Sequence, residues 1–142
     1  MNVLDKINDQ IVSAEITLIA ALRKMDECRA KLLFVFEDNK FDCILTIGDI
    51  QRAIIRNVSM ESPISGILVR DKIYASDKDS IEDIKKVMLD VNIDCMPVLN
   101  ENNEIVNILY WADVFSNKVE DTREKIELPV VIMAGGKGTR LK

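Results

Sequence analysis

A pattern that recurs after about 63 residues constrains this 142-residue chain more than any other feature. In the first copy, Thr17 stands as a cap before Leu18, Ala21, Leu22 and Met25 at helical spacing. An apolar run over 32–36 follows, then a polar turn at 37–40 and a second apolar run over 41–47. Gly48 and Asp49 lead into a helical pattern of Ile50, Ala53 and Ile54. The second copy opens at Ser80, with Ile81, Ile84, Val87 and Met88 on one face. It continues through 93–99, a turn at 100–104 and a strand pattern at 105–109, and closes at Asp113 with Val114 and Phe115. The offset is 63 before the turn and 64 after it, so the second turn holds one more residue. Met25 then matches Met88, Val35 matches Val98, and Asp49 matches Asp113.

Each copy therefore reads helix, strand, turn, strand, helix, an α+β unit. Short apolar segments at 10–12 and 72–74 are expected to add an edge strand to each. Ser80 is an expected N-cap, with Glu82 and Asp83 supplying negative charge to the first turn. About 55 residues of this kind cannot bury their apolar faces alone, whereas two copies packed about a pseudo-twofold can. Between them, 58–65 (VSMESPIS) reads as a polar connector containing proline. The expected boundaries are 8–60 for the first repeat and 61–118 for the second. A charged linker follows at 119–128, and a separate segment at 129–142.

Several function classes are set aside by composition. There is no histidine, so Ser–His–Asp, Cys–His and His-ligated zinc chemistry are excluded for these residues. A net charge of −5 opposes nucleic acid as a partner, because backbone binding needs a basic face. No apolar stretch approaches the roughly 18 residues that span a bilayer, and positions 1–10 lack the pattern of a signal peptide. Cys28, Cys43 and Cys95 are scattered, which suits core thiols in a reducing cytoplasm. The expectation is a cytoplasmic module with no metal and no membrane or nucleic-acid partner.

The repeat, with its matched aspartates, resembles the CBS domain pair, or Bateman module. Cys43-Ile44-Leu45-Thr46-Ile47-Gly48-Asp49 stands where that family has G-h-h-[ST]-x-x-D. The second copy carries Asn107-Ile108-Leu109-Tyr110-Trp111-Ala112-Asp113, and Cys95-Met96-Pro97-Val98 resembles the family's h-P-V strand. The resemblance covers about residues 8–118. It implies tandem repeats in pseudo-twofold packing, homodimerisation and sensing of an adenosine nucleotide (AMP, ADP or ATP). The motif Asp would take the ribose hydroxyls and the Ser/Thr would help hold a phosphate. Carried over, Thr46 and Asp49 form the better-preserved site. Asp113 keeps the ribose role, but Tyr110 replaces the hydroxyl residue. Cys43 and Asn107 replace the motif glycines and are expected to crowd the cleft. On residue type alone Asp49 and Asp113 also read as helix N-caps. Arg70, Asp71 and Lys72 read as a solvated turn or as a cation placed near a phosphate. Tyr110 and Trp111 read as core or interface aromatics, or as a stacking surface for a purine.

The last residues carry a different signal. Residues 128–133 (LPVVIM) read as a buried strand, followed by Gly135, Gly136, Lys137, Gly138, Thr139 and Arg140. Glycines let backbone N–H groups approach an anion closely. This run is similar to the G-G-x-G-T-R-L signature of sugar-1-phosphate nucleotidyltransferases, pyrophosphorylase-like enzymes such as guanylyltransferases. The resemblance implies the truncated start of such a domain, with Gly135, Gly136, Gly138, Thr139 and Arg140 gripping a nucleoside triphosphate and Mg serving the parent enzyme. The residues in hand would bear no catalytic activity themselves. A dimerisation scaffold without a ligand is the alternative, and a small metabolite-binding enzyme a third reading.

Overall fold

The computed structural model describes residues 2–116. The expected linker and the glycine-rich run at 129–142 lie outside the described residues. Helix α1 (Val3–Ile7) and a single 3-10 turn lead into the first repeat: β1 (Ile11–Ser13), α2 (Leu18–Cys28), β2 (Leu32–Glu37), β3 (Lys40–Thr46) and α3 (Ile47–Ile55). The second repeat runs β4 (Ala75–Ser76), α4 (Ile81–Val91), β5 (Cys95–Leu99), β6 (Ile105–Tyr110) and α5 (Trp111–Phe115). Each repeat forms a three-stranded sheet, β1-β2-β3 and β4-β5-β6, with the outer short strand parallel and the hairpin antiparallel. No helix among the described residues is long and apolar enough to cross a membrane.

The repeat extends to individual contacts. Val12 pairs with Val35, and Ala75 with Val98, at the same offset of 63. Both hairpins shift register at matched points, between Val35 and Phe36 and between Val98 and Leu99. Thr17 and Ser80 cap α2 and α4, accepting from Ala20 N–H at 3.2 Å and Asp83 N–H at 3.1 Å. Arg29 and Asn92 end those helices in the left-handed region, φ 51° and 54°. The extra residue in the second hairpin is also explained. Asp38 and Asn39, both at positive φ, make a two-residue turn that matches the twist of its strands. In the second hairpin Asn100 N–H bonds Glu104 O at 3.0 Å around a three-residue loop, with Asn103 at φ 60°.

Strand alternation divides the apolar residues between three cores. Leu33, Val35, Cys43 and Leu45 face α2 and α3, where Leu18, Ala21, Met25, Ile50 and Ala53 are buried. Met96 and Val98 face Ile84 and Met88 of α4 in the same way. The opposite faces of the two sheets meet through Phe34, Ile44, Cys95 and Ile105, and Ile7 of α1 closes this middle layer.

Two expectations change. The segment 58–65 is not a solvated connector: Ile64 is fully buried in the first repeat's core, and its N–H bonds Ile16 O at 2.8 Å. The second edge strand forms at Ala75–Ser76, not at 72–74. The residues before it are spent across the repeat boundary, because Tyr74 Oη accepts from Ile44 N–H at 3.3 Å and Lys72 reaches Asp49.

Candidate functional site

The chemistry of the molecule gathers where β3 turns into α3. Thr46 is the N-cap and Asp49 the third residue of the helix, and the two form a reciprocal capping box. Thr46 Oγ1 accepts from Asp49 N–H at 3.3 Å, while Asp49 Oδ2 accepts from Thr46 N–H at 2.8 Å and from the Thr46 hydroxyl at 2.9 Å. Asp49 is thus not itself an N-cap, as residue type alone allows. It answers the cap from inside the helix. Asp113 holds the matching third position in α5 but is exposed, and its N-cap Tyr110 makes no side-chain cap bond.

Asp49 is buried, with 1% of its side chain exposed, and a buried charge must be paired. Arg52, one turn on, donates to Oδ1 at 2.5 Å. Lys72, from the segment leading into the second repeat, donates to Oδ2 and is itself only 14% exposed. Burial pushes the Asp49 carboxyl upward, but the bonds from Lys72 and from the Thr46 N–H and hydroxyl outweigh it and hold the group below its ordinary 3.8. It is a carboxylate at neutral pH.

The pair lies on the wall of a cleft of about 340 Å3. Thr46, Asp49 and Arg52 form one side, Val69, Asp71, Lys72 and Ile73 another, and Val91, Ile93 and Cys95 of the second repeat the third. This is the size range of small-molecule sites, about 300–1,000 Å3, and it combines apolar walls with a few convergent charges. A larger depression of about 770 Å3 lies between the hairpin turns and α1, lined by Asn39, Asn102, Asn103 and Glu104. The cleft at α3 takes precedence because its carboxylate has a perturbed pKa from identified partners. Burial raises the Cys95 thiol at its edge to about 12, so that group stays protonated.

The structure brings Thr46 and Asp49 together and leaves Asp113 apart from them. Cys43, expected to crowd the cleft, is instead buried against the helices of the first repeat. Of the segment 70–72 read as a solvated turn, Arg70 is exposed and clamps Asp42 with two bonds of 3.1 and 3.0 Å, and Asp71 is exposed, but Lys72 turns inward. Trp111 stacks on Phe115 with ring centroids 4.1 Å apart, as a core aromatic. Arg52 was not anticipated, although its three-residue spacing from Asp49 places both on one helix face.

The repeats differ most at this site. The offset that maps Asp49 onto Asp113 maps Arg52 onto Ser116, and the offset of 63 maps Lys72 onto Asp9. Both cations of the first site are therefore lost in the second. Among the described residues no group of three or more His, Cys, Asp or Glu is placed to hold a metal.

Comparison with known proteins agrees with this architecture. Residues 64–120 match the family model of the CBS domain. No curated protein matches the sequence. Among solved structures, a putative signal-transduction protein with CBS domains from Burkholderia ambifaria is 17% identical, with a TM-score of 0.65, covering 82% of this chain and 86% of that one. Hypoxic Response Protein I, solved with two coordinated zinc ions, is 28% identical, with a TM-score of 0.62 and coverage of 73% and 86%. A CBS domain protein from Pyrobaculum aerophilum complexed with AMP is 21% identical, with a TM-score of 0.61 and coverage of 76% and 84%. Residues 64–120 thus match the CBS domain, and over its described residues the chain has the fold of tandem CBS-domain proteins.

Proposed function

We propose that this CBS module senses an adenosine nucleotide in the cleft at the start of α3. The observation that carries the reading is the buried Asp49 carboxylate, ionised and set beside Thr46 on the wall of a cleft between the repeats. A carboxylate accepts from the two adjacent hydroxyls of a ribose, and the apolar walls of Val69, Ile73, Val91 and Ile93 suit a purine. The fold shared with a CBS protein complexed with AMP supports the same ligand class. Loss of both cations beside Asp113 supports one site per chain. The GGKGTRL run at 135–141 supports a role in regulating a Mg-dependent nucleotidyltransferase activity.

Calorimetric titration with AMP, ADP and ATP tests the reading. Wild type is expected to bind at least one of them with one site per chain, and Asp49→Asn to lose that binding while retaining its circular dichroism spectrum. No binding at millimolar concentration, or unchanged binding by Asp49→Asn, overturns it.

A second reading, a scaffold that joins two chains, is favoured by Ile54 and Ile55, both substantially exposed near the end of α3. Sedimentation of the ligand-free chain tests it: a monomer throughout the micromolar range removes it.

A further inference from the structure

The donors around Asp49 leave little room for a ligand. A carboxylate offers about four lone-pair positions, two on each oxygen. Oδ1 takes one donor, from Arg52, but Oδ2 takes three: Lys72, the Thr46 N–H and the Thr46 hydroxyl. A vicinal diol brings two further donors. Six donors for about four positions means that two present donors must give way: the exposed Arg52 on Oδ1 and one donor on the crowded Oδ2. The Thr46 N–H is main chain at a helix start, and the Thr46 hydroxyl is held in the capping box. Lys72 is the remaining donor on Oδ2, carried on a flexible four-carbon stem by irregular backbone between the 3-10 turn Ile64–Gly66 and β4.

Displacing Lys72 has a consequence. Its side chain is mostly buried and its ammonium is paired with Asp49, so it needs another anion once the diol has taken its place. Arg52 differs, because its side chain is 57% exposed and water can solvate it. We propose that Lys72 is an exchangeable counter-ion: it closes the empty site on Asp49 and, when a ligand enters, moves to that ligand's phosphate. Lys72 then sets ligand specificity, admitting a phosphorylated nucleoside and disfavouring the bare nucleoside. Because Lys72 belongs to the segment joining the repeats, the same exchange shifts residues 69–73. This inference rests on the reading of the cleft as a nucleotide site and adds the selection for phosphate.

The test is a comparison of AMP and adenosine by titration calorimetry on the whole chain, for wild type, Lys72→Met and Lys72→Arg. Wild type is expected to bind AMP at least about tenfold more tightly than adenosine, as loss of a charge-assisted bond requires. Lys72→Met is expected to bring that ratio below about threefold, chiefly by weakening AMP, and Lys72→Arg to restore it. A Lys72→Met ratio equal to that of wild type overturns the role of Lys72 and leaves the nucleotide site standing. Equal affinity of wild type for AMP and adenosine does the same, and needs no variant that might fail to fold. Binding of neither compound by wild type overturns the reading of the cleft and this inference with it.

Discussion

Lys72 and Asp49 are 23 positions apart, one in the segment joining the repeats and the other in the first repeat, yet the Lys72 ammonium donates directly to the Asp49 carboxylate. The contact ties the segment entering the second sheet to the first turn of a helix in the first. Removing one partner of a buried pair leaves the other charge uncompensated, which costs about 3–5 kcal/mol. Arg52 is more than half exposed and can be solvated, so Asp49→Asn is expected at the low end, about 3 kcal/mol, by urea denaturation at pH 7.

The same carboxylate gives a pH dependence of defined sign. Its folded value is below the ordinary 3.8, so its contribution is complete above that value and disappears as pH falls through the folded one. The stability gap between wild type and Asp49→Asn is expected to be constant from pH 8 to 5 and to shrink only below about pH 4. A gap that narrows between pH 7 and 5 would contradict a depressed pKa.

Thr46→Val keeps the shape of the side chain and removes its oxygen. It loses the bond from Asp49 N–H and the hydroxyl bond to Asp49, while the Thr46 N–H bond remains. The expected cost is about 1–2 kcal/mol in the same denaturation experiment.

Arg29 closes α2 at φ 51°, a region costly to residues with a Cβ, and its side chain is exposed. Arg29→Gly is expected to stabilise the chain by about 1 kcal/mol. The matched Asn92→Gly should gain less, since Asn tolerates the conformation better.

Phe34 is fully buried in the layer between the two sheets. Phe34→Ala is expected to cost about 3–5 kcal/mol. Because that layer holds the repeats together, hydrogen exchange should rise in both β2 and β5, not in β2 alone.

Local signals carried most of the architecture. Thr17 and Ser80 acted as caps because a hydroxyl at a helix start finds its amide three residues on, wherever the helix lies. The 63-residue repeat reappears in the pairing of Val12 with Val35 and of Ala75 with Val98, although the apolar pattern alone put the second edge strand at 72–74. Thr46 and Asp49 were legible as a contacting pair because they are close in sequence and share one helix turn. The glycine motif misled at Cys43, whose direction depends on which sheet face the helices cover.

Sequence alone determined that two α+β units must pack on each other, and that a hydroxyl and a carboxylate begin the helix of the first. The reason is that helix spacing, strand alternation and capping are interactions over a few residues. Tertiary structure decided what Asp49 is bonded to. Lys72 reads as a solvated charge in the chain, and only the packing of one repeat against the other carries it to a carboxylate 23 residues away. Packing within the first repeat likewise buries Ile64 beside residues distant from it in sequence. Such contacts depend on where sheets and helices come to rest, and no local pattern encodes that.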